Sequence, residues 1–398
     1  MSHCVHRQMK KLGDVASFRR GLTYAKDDVA ENTTKQVLRS NNITLETNSL
    51  NFDEIVCLRD DFVIPDDKIL HKDDIFICMS NGSTQHLGKV AFVSKDVGMA
   101  FGGFMGVIES NKALVVPSYV FYSCRSNAYR TYLNTIFNGA NINNLKWSEL
   151  SKFLIPVPPL DEQQRIVAEL DLLTEVIDKR RMQLKELDTL AQSIFYDMFG
   201  DPTHNEKGWD VKKLGDVCTS VSYGTSSPSS PSGRYKYLRM NNITYDGYLD
   251  LTDLKYIDMD DDEFEKYAVK EGDVLFNRTN SMDLIGKTTY IHNMEPMIIA
   301  GYIIRVRLND SVMPVFVAKF MNTPAMKKKL RSMAKGAVNQ ANINSKELKS
   351  IDLVIPPLTL QQSFADKIQS IEKQKTAINQ SIVETQKLLD YTMDKYFG

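Results

Sequence analysis

Residues 277–280 read Asn-Arg-Thr-Asn, so two amides, a guanidinium and a hydroxyl stand in one short run. Arginine can donate two parallel hydrogen bonds to guanine, asparagine can pair twice with adenine, and a threonine hydroxyl can contact phosphate. The same composition also suits a turn held by side-chain-to-backbone bonds. Lys287 follows closely. Upstream, "SYGTSSPSSPSGRYKY" at 222–237 offers Tyr223, Thr225, Ser226 and Arg234, either for a groove or as plain surface loop. In the first half of the chain, Asn81, Ser83, Thr84, Gln85 and Lys89 occupy the comparable stretch. "MKKKLR" at 326–331 is a phosphate grip or a solvated helix face.

Motifs for bond-making chemistry are missing. No [DNS]-P-P-[FYW] adenine-methyltransferase motif occurs, because both Pro-Pro pairs precede leucine. "FGGFMG" at 101–106 lacks the spacing of a cofactor loop, and "GK" at 88–89 and 286–287 lacks the upstream glycine of a phosphate loop. "PDDK" at 65–68 has no matching acid-x-Lys in the right place for a nuclease motif. The five cysteines form no C-x-x-C pair and the six histidines show no metal spacing. "DMDDDEFEK" at 258–266 lacks EF-hand spacing and suits a solvated acidic turn. We expect a binding protein with no catalytic residue, metal or cofactor of its own.

The elements that must position these residues come twice. "LRSNNIT" at 38–44 returns as "LRMNNIT" at 238–244, and "KKLGDV" at 10–15 returns at 212–217. "ANIN" at 140–143 returns at 341–344, "VPPL" at 157–160 is answered by "IPPL" at 355–358, and "MFG" at 198–200 by "YFG" at 396–398. Five matches in one order, at offsets of 198–202, mark two halves joined head to tail. Arg39 and Arg239 lie in the first phrase. A phrase common to both halves cannot specify two different targets, so it is framework, with phosphate contact its only expected binding role. Each half opens with a mixed segment of strand-like and helical runs, 1–158 and 201–357. Each closes with a long helix, 159–200 and 358–398, entered through prolines whose missing N–H costs nothing there.

Both helices carry a stripe with a period of 3.5. In the first, Ile166, Leu170, Leu173, Ile177, Leu184, Leu187 and Ile194 fall on it, interrupted by Arg180. In the second, Phe364, Ile368, Ile371, Ile378, Ile382 and Leu389 do, interrupted by Lys375. Such a stripe is a coiled-coil seam, and its two charges either fix the register or reach past it to water. The short linker 201–209 places the start of the second helix near the end of the first, so antiparallel pairing is expected. The fold class is then α+β: two pseudo-symmetric domains separated by two long helices forming an antiparallel coiled coil. A rod with a similar domain at each end suits duplex DNA, where half-sites recur at fixed spacing.

The whole chain resembles the specificity subunit of type I restriction–modification systems. The resemblance rests on the duplicated plan, on "GANINNLKWSELSKFLIPVPPLDEQQRIV" at 139–167, on "GAVNQANINSKELKSIDLVIPPLTLQQ" at 336–362 and on "GDVLFNRTNSMDLIGKTTYI" at 272–291. The first-half counterpart, "DDIFICMSNGSTQHLGKVAFV", lacks the Asn-Arg-Thr-Asn run, so the two domains should read different bases. The resemblance implies two target recognition domains that bind double-stranded DNA. It also implies a spacer that docks two methyltransferase subunits carrying S-adenosylmethionine, and restriction subunits beside them.

Bulk composition agrees with a local binding surface. Residues 1–158 carry 18 basic and 16 acidic side chains and residues 201–357 carry 21 and 20, so any DNA-binding face is a patch on a balanced domain. No run is long and apolar enough for a membrane span, and the N-terminus has no secretory pattern, so a cytoplasmic protein with reduced thiols is expected. A coiled-coil scaffold binding proteins at both ends is the alternative. A solitary methyltransferase is disfavoured by the missing motif.

Overall fold

The computed structural model describes residues 8–137, 144–337 and 340–398. The first "ANIN" copy therefore lies outside the described residues. The chain forms two compact units, residues 1–179 with 381–398 and residues 180–380. Each unit takes in half of both long helices, so the units do not end at the segment limits 158 and 357.

In the first unit an antiparallel four-stranded sheet runs Ala16–Arg20, Met105–Ser110, Ile75–Cys78, Val90–Phe92. A three-stranded sheet runs Val56–Leu58, Lys35–Leu38, Ala100–Phe101, and a ribbon pairs Met9–Lys11 with Leu154–Pro156. Successive strand residues face opposite ways. Ile75 and Ile77 enter a core with Val90, Ile108 and the helical Tyr119 and Leu133, whereas Phe76 and Cys78 enter another with Leu38, Phe101 and Val107. That two-sided burial is why "IFIC" is continuously apolar.

The second unit repeats these strand orders. Its four-stranded sheet runs Cys218–Tyr223, Ile303–Leu308, Val274–Asn277, Thr288–Tyr290. Its three-stranded sheet runs Lys255–Ile257, Tyr235–Leu238, Ile298–Ile299, and Asp210–Lys213 pairs with Asp352–Ile355. Val274 and Phe276 face one core and Leu275 another.

The long helices span Leu160–Phe199 and Leu358–Phe397, 40 residues each, or about 60 Å at 1.5 Å per residue. Gly200 stops the first at a φ of +77°, where a side chain would be strained. Ile166, Leu170, Ile177, Phe364, Ile368, Ile371 and Leu389 are buried. Leu173, Leu184, Leu187, Ile194, Ile378 and Ile382 are half-buried. In the first unit Ile166 and Leu170 share a cluster with Leu389, Met393 and Tyr396. In the second, Phe195 and Phe199 share one with Phe364 and Ile368. Within each unit, then, the opening turns of one helix meet the closing turns of the other. Lys375, on the stripe, is largely buried and donates to Asp188 Oδ1 at 2.5 Å, so its amine does not reach past the stripe to water.

Each helix is fastened to its mixed domain by a buried glutamine. Gln163 Oε1 accepts from Val116 N at 2.9 Å while its Nε2 donates to Pro158 O at 2.8 Å. Gln361 does the same with Met313 N and Pro356 O, both at 2.8 Å. Val116 and Met313 each cap a short helix and contribute no side-chain hydrogen bond to it, so the glutamine side chain supplies a missing partner.

Candidate nucleic-acid interface

The Asn-Arg-Thr-Asn run begins at the last residue of a strand, and strand alternation divides it. Asn277 is 0% exposed and Thr279 7%. Asn277 Oδ1 accepts from Asn280 Nδ2 at 3.1 Å, and its Nδ2 has no partner among the described residues. Thr279 Oγ1 accepts from Asn342 Nδ2 at 2.8 Å. Arg278 and Asn280 are half-exposed. The Arg278 guanidinium lies 4.8 Å from the Tyr223 ring centroid, and its Nη2 donates to Asn342 Oδ1 at 3.3 Å. Tyr223 in turn donates to Ser345 Oγ at 2.9 Å and accepts from Ser345 N at 3.0 Å. Burial would raise the Tyr223 phenol. The Ser345 hydrogen bonds and the Arg278 charge outweigh it and hold the phenol below its ordinary value.

Arg278, Tyr223, Asn342 and Ser345 thus form one polar cluster whose planar groups are held before any partner arrives. Asn342 and Ser345 were not singled out from the sequence. Asn342 lies in the second "ANIN", but Ile343 N donates to Arg278 O as Leu145 N does to Met79 O, so its counterpart is Asn144, one residue past the first "ANIN"; nothing flagged Ser345.

The lysines sit elsewhere. Lys287 is buried, its Nζ donating to Met240 O at 2.8 Å, and burial lowers its pKa. Lys89 is buried and donates to Ile43 O at 2.9 Å, with its pKa lowered in the same way. Both amines tie the sheet to the repeated phrase itself, at Met240 and Ile43. Thr225 is also buried, with its hydroxyl donating to Ser227 Oγ at 3.0 Å, while Ser226 is exposed. Arg234 is exposed but paired with Asp261 at 2.9 Å. The acidic run at 258–266 forms the helix Asp261–Tyr267, capped by Asp260. In "MKKKLR", Lys327 points inward onto Tyr245 O, and burial holds its amine down to about 8.

The repeated phrase is a capping device. Asn42 Oδ1 accepts from Arg39 N at 2.8 Å and Asn242 Oδ1 from Arg239 N at 2.9 Å. Their Nδ2 atoms donate to Glu54 O and Asp253 O respectively. The two arginines then part company. Arg239 donates to Asp253 Oδ2 at 2.7 Å, whereas the exposed Arg39 side chain makes no hydrogen bond among the described residues. Arg39 lines a concavity of about 580 Å³ with Tyr24, Asn41 and Phe104. Asn81 donates to Ser40 Oγ at 3.2 Å and accepts from Ser83 N at 3.0 Å, while Thr84 and Gln85 are exposed on the same turn.

Strand register identifies which residues correspond. Gly106 pairs Arg20 as Ile304 pairs Tyr223. Met79 N donates to Phe104 O and Arg278 N to Tyr302 O, each at 2.9 Å. Leu145 N donates to Met79 O and Ile343 N to Arg278 O. So Met79 stands where Arg278 does, Arg20 where Tyr223 does, and Trp147 where Ser345 does. Met79 is buried, and Trp147 stacks on Phe18 with centroids 4.9 Å apart. One frame therefore holds Arg278, Tyr223 and Ser345 in one unit and, at the matching places in the other, the buried Met79, the exposed Arg20 and Trp147 stacked on Phe18.

The family model for the type I restriction modification DNA specificity domain matches residues 5–188 and again 206–385. The chain belongs to this family. It is 26% identical over 410 residues to the type I restriction enzyme EcoKI specificity subunit of Escherichia coli K12, covering 96% of this chain and 86% of that one. Against the StySPI specificity subunit of Salmonella potsdam it is 25% identical over 414 residues, with the same coverage. Among solved structures, the S subunit of a type I system from M. genitalium aligns over 100% of this chain and 98% of its own, with a TM-score of 0.57 at 12% identity. A chain from a structural study of type I complex assembly and conformational transition gives 0.54 at 20% identity, over 98% and 97%. At those identities the two structures support the fold alone. Among the described residues, no helix of this family member is long and apolar enough to cross a membrane.

Proposed function

We propose that this chain is the DNA sequence-specificity subunit of a type I restriction–modification complex, non-catalytic and cytoplasmic. Each mixed domain reads one half of a two-part target in double-stranded DNA. The two long helices pair antiparallel as the spacer and dock two methyltransferase subunits, which bring S-adenosylmethionine, and restriction subunits. The observation that carries this reading is the shared frame with rewritten contents: Arg278, Tyr223 and Ser345 in one domain against Met79, Arg20 and Trp147 in the other. A frame kept constant while its presented chemistry changes is what two different half-sites require. Of the sequence candidates, Arg278, Asn280, Tyr223, Ser226, Arg234, Arg239, Arg39, Asn81, Ser83, Thr84 and Gln85 keep some exposure, whereas Asn277, Thr279, Thr225, Lys287 and Lys89 are buried. The scaffold alternative gains nothing from the relatives, whose names are those of specificity subunits.

The test is a genome-wide map of methylated adenine in cells with and without the chain, alongside its methyltransferase partner. A gapped two-part motif appearing only with the chain is expected. No new methylation with an active, bound partner would defeat the proposal. Replacing residues 201–352 by another recognition domain should change one half of the motif only.

A further inference from the structure

We infer that Phe104 and Tyr302 are paired aromatic wedges, one per recognition domain, each inserting into a base step of its own half-site. The inference rests on the DNA-reading function proposed above. Phe104 is 72% exposed and Tyr302 52%. A single exposed aromatic is ordinary. Here the same place in two diverged domains carries one.

The equivalence is exact in hydrogen bonding. Met105 N closes a turn on Gly102 O at 2.8 Å, and Ile303 N closes one on Ala300 O at 2.9 Å. The aromatic is the third residue of both turns. Gly102 N is held by Leu38 O and Ala300 N by Leu238 O, each at 2.9 Å. A neighbouring strand crosses each turn at a glycine. A Cβ on Gly21 would lie 2.0 Å from Gly102 O, and one on Gly224 would lie 2.1 Å from Ile299 O. Each turn is therefore clamped from both sides and its aromatic is carried on rigid backbone. Turn chemistry does not ask for an aromatic there, since small polar residues or glycine serve that position.

The surroundings fit DNA. Phe104 shares its concavity with Arg39, Ser40 and Asn41. Beside Tyr302, Arg278 stacks on Tyr223 and its main chain is bonded to the Tyr302 carbonyl. In both domains, cation and amide donors flank an exposed ring. Side chains that unstack a base step are apolar or aromatic, and flanking cations hold the opened duplex. The two rings differ by one hydroxyl, so the device is shared while base identity is left to the neighbours.

The experiment uses the full chain in complex with its methyltransferase partner, on a duplex bearing the motif that the methylation map returns. 2-Aminopurine or pyrrolocytosine is walked through both half-sites. Fluorescence should rise at one step in each half-site when the complex binds. Phe104→Ala should abolish one rise and Tyr302→Ala the other, each weakening specific binding roughly 10-fold or more, while Tyr302→Phe keeps both. Unchanged unfolding midpoints would separate this from a structural effect. Specific binding with no rise at any position, or rises that persist in both alanine variants, would overturn the wedges and leave the specificity function standing. Failure to bind any motif-bearing duplex specifically would overturn both.

Discussion

Arg278 shows at the residue scale what a motif can and cannot say. The four-residue run was legible as a set of base-reading groups, but its direction was not. Strand alternation turns Asn277 and Thr279 inward and leaves Arg278 and Asn280 half-exposed. Arg278→Met, which writes in the residue of the other domain, should weaken specific DNA binding by about 1–3 kcal/mol and relax one base position. Competition binding against single-base variants of the target measures both, and undiminished discrimination would remove Arg278 from the readout. The lysines were legible as charge but not as burial, because neither periodicity nor composition locates a carbonyl 47 residues away, as Met240 O is from Lys287 Nζ. Burial has a titration consequence at Lys327, whose amine is held down to about 8 against an ordinary 10.5. Between those values the unfolded chain binds more protons than the folded one, so stability rises with pH across the window. Urea unfolding at pH 7.5, 9 and 10 should show the wild type gaining on Lys327→Met by on the order of 1–3 kcal/mol. Parallel curves would show that the amine keeps its charge on Tyr245 O without a penalty.

The long helices were the most legible elements, because a 3.5 period needs nothing beyond the sequence that carries it. Every residue of both stripes is buried or half-buried. What the period missed lies where a helix end is enclosed on more than one face. Phe195 and Phe199, off the stripe, pack against Phe316 and Phe364 at centroid distances of 4.8–5.9 Å. The glutamine pair after each Pro-Pro was visible as a repeat without a role. One glutamine of each pair turns inward and satisfies a helix N-terminus and a carbonyl of the proline segment. Gln361→Ala strands both groups, and about 2–4 kcal/mol of stability should be lost. The exposed neighbour Gln362 supplies the control, since Gln362→Ala loses only a surface bond to Asp366. Equal denaturation midpoints for the two variants would refute the fastening role.

On the scale of the whole molecule, two recognition domains in one duplicated chain are expected to act as separate readers. The packing clusters of residues 1–179 with 381–398 and those of residues 180–380 have no member in common. Arg39 and Arg278 therefore share no cluster through which a change at one would repack the other. Sites without shared partners add in free energy, usually within about 0.5 kcal/mol. The double variant Arg39→Ala/Arg278→Met should accordingly weaken binding of the assembled complex by the product of the two single-variant factors. Each single variant should alter the methylated motif in one half alone. The overall charge of −1 gives no broad field to blur this additivity, because neither domain attracts DNA as a whole. A coupling above about 1 kcal/mol between the two substitutions, measured as a double-mutant cycle at fixed salt, would mean that the half-sites are read as one surface, and the duplicated frame would then need a different explanation.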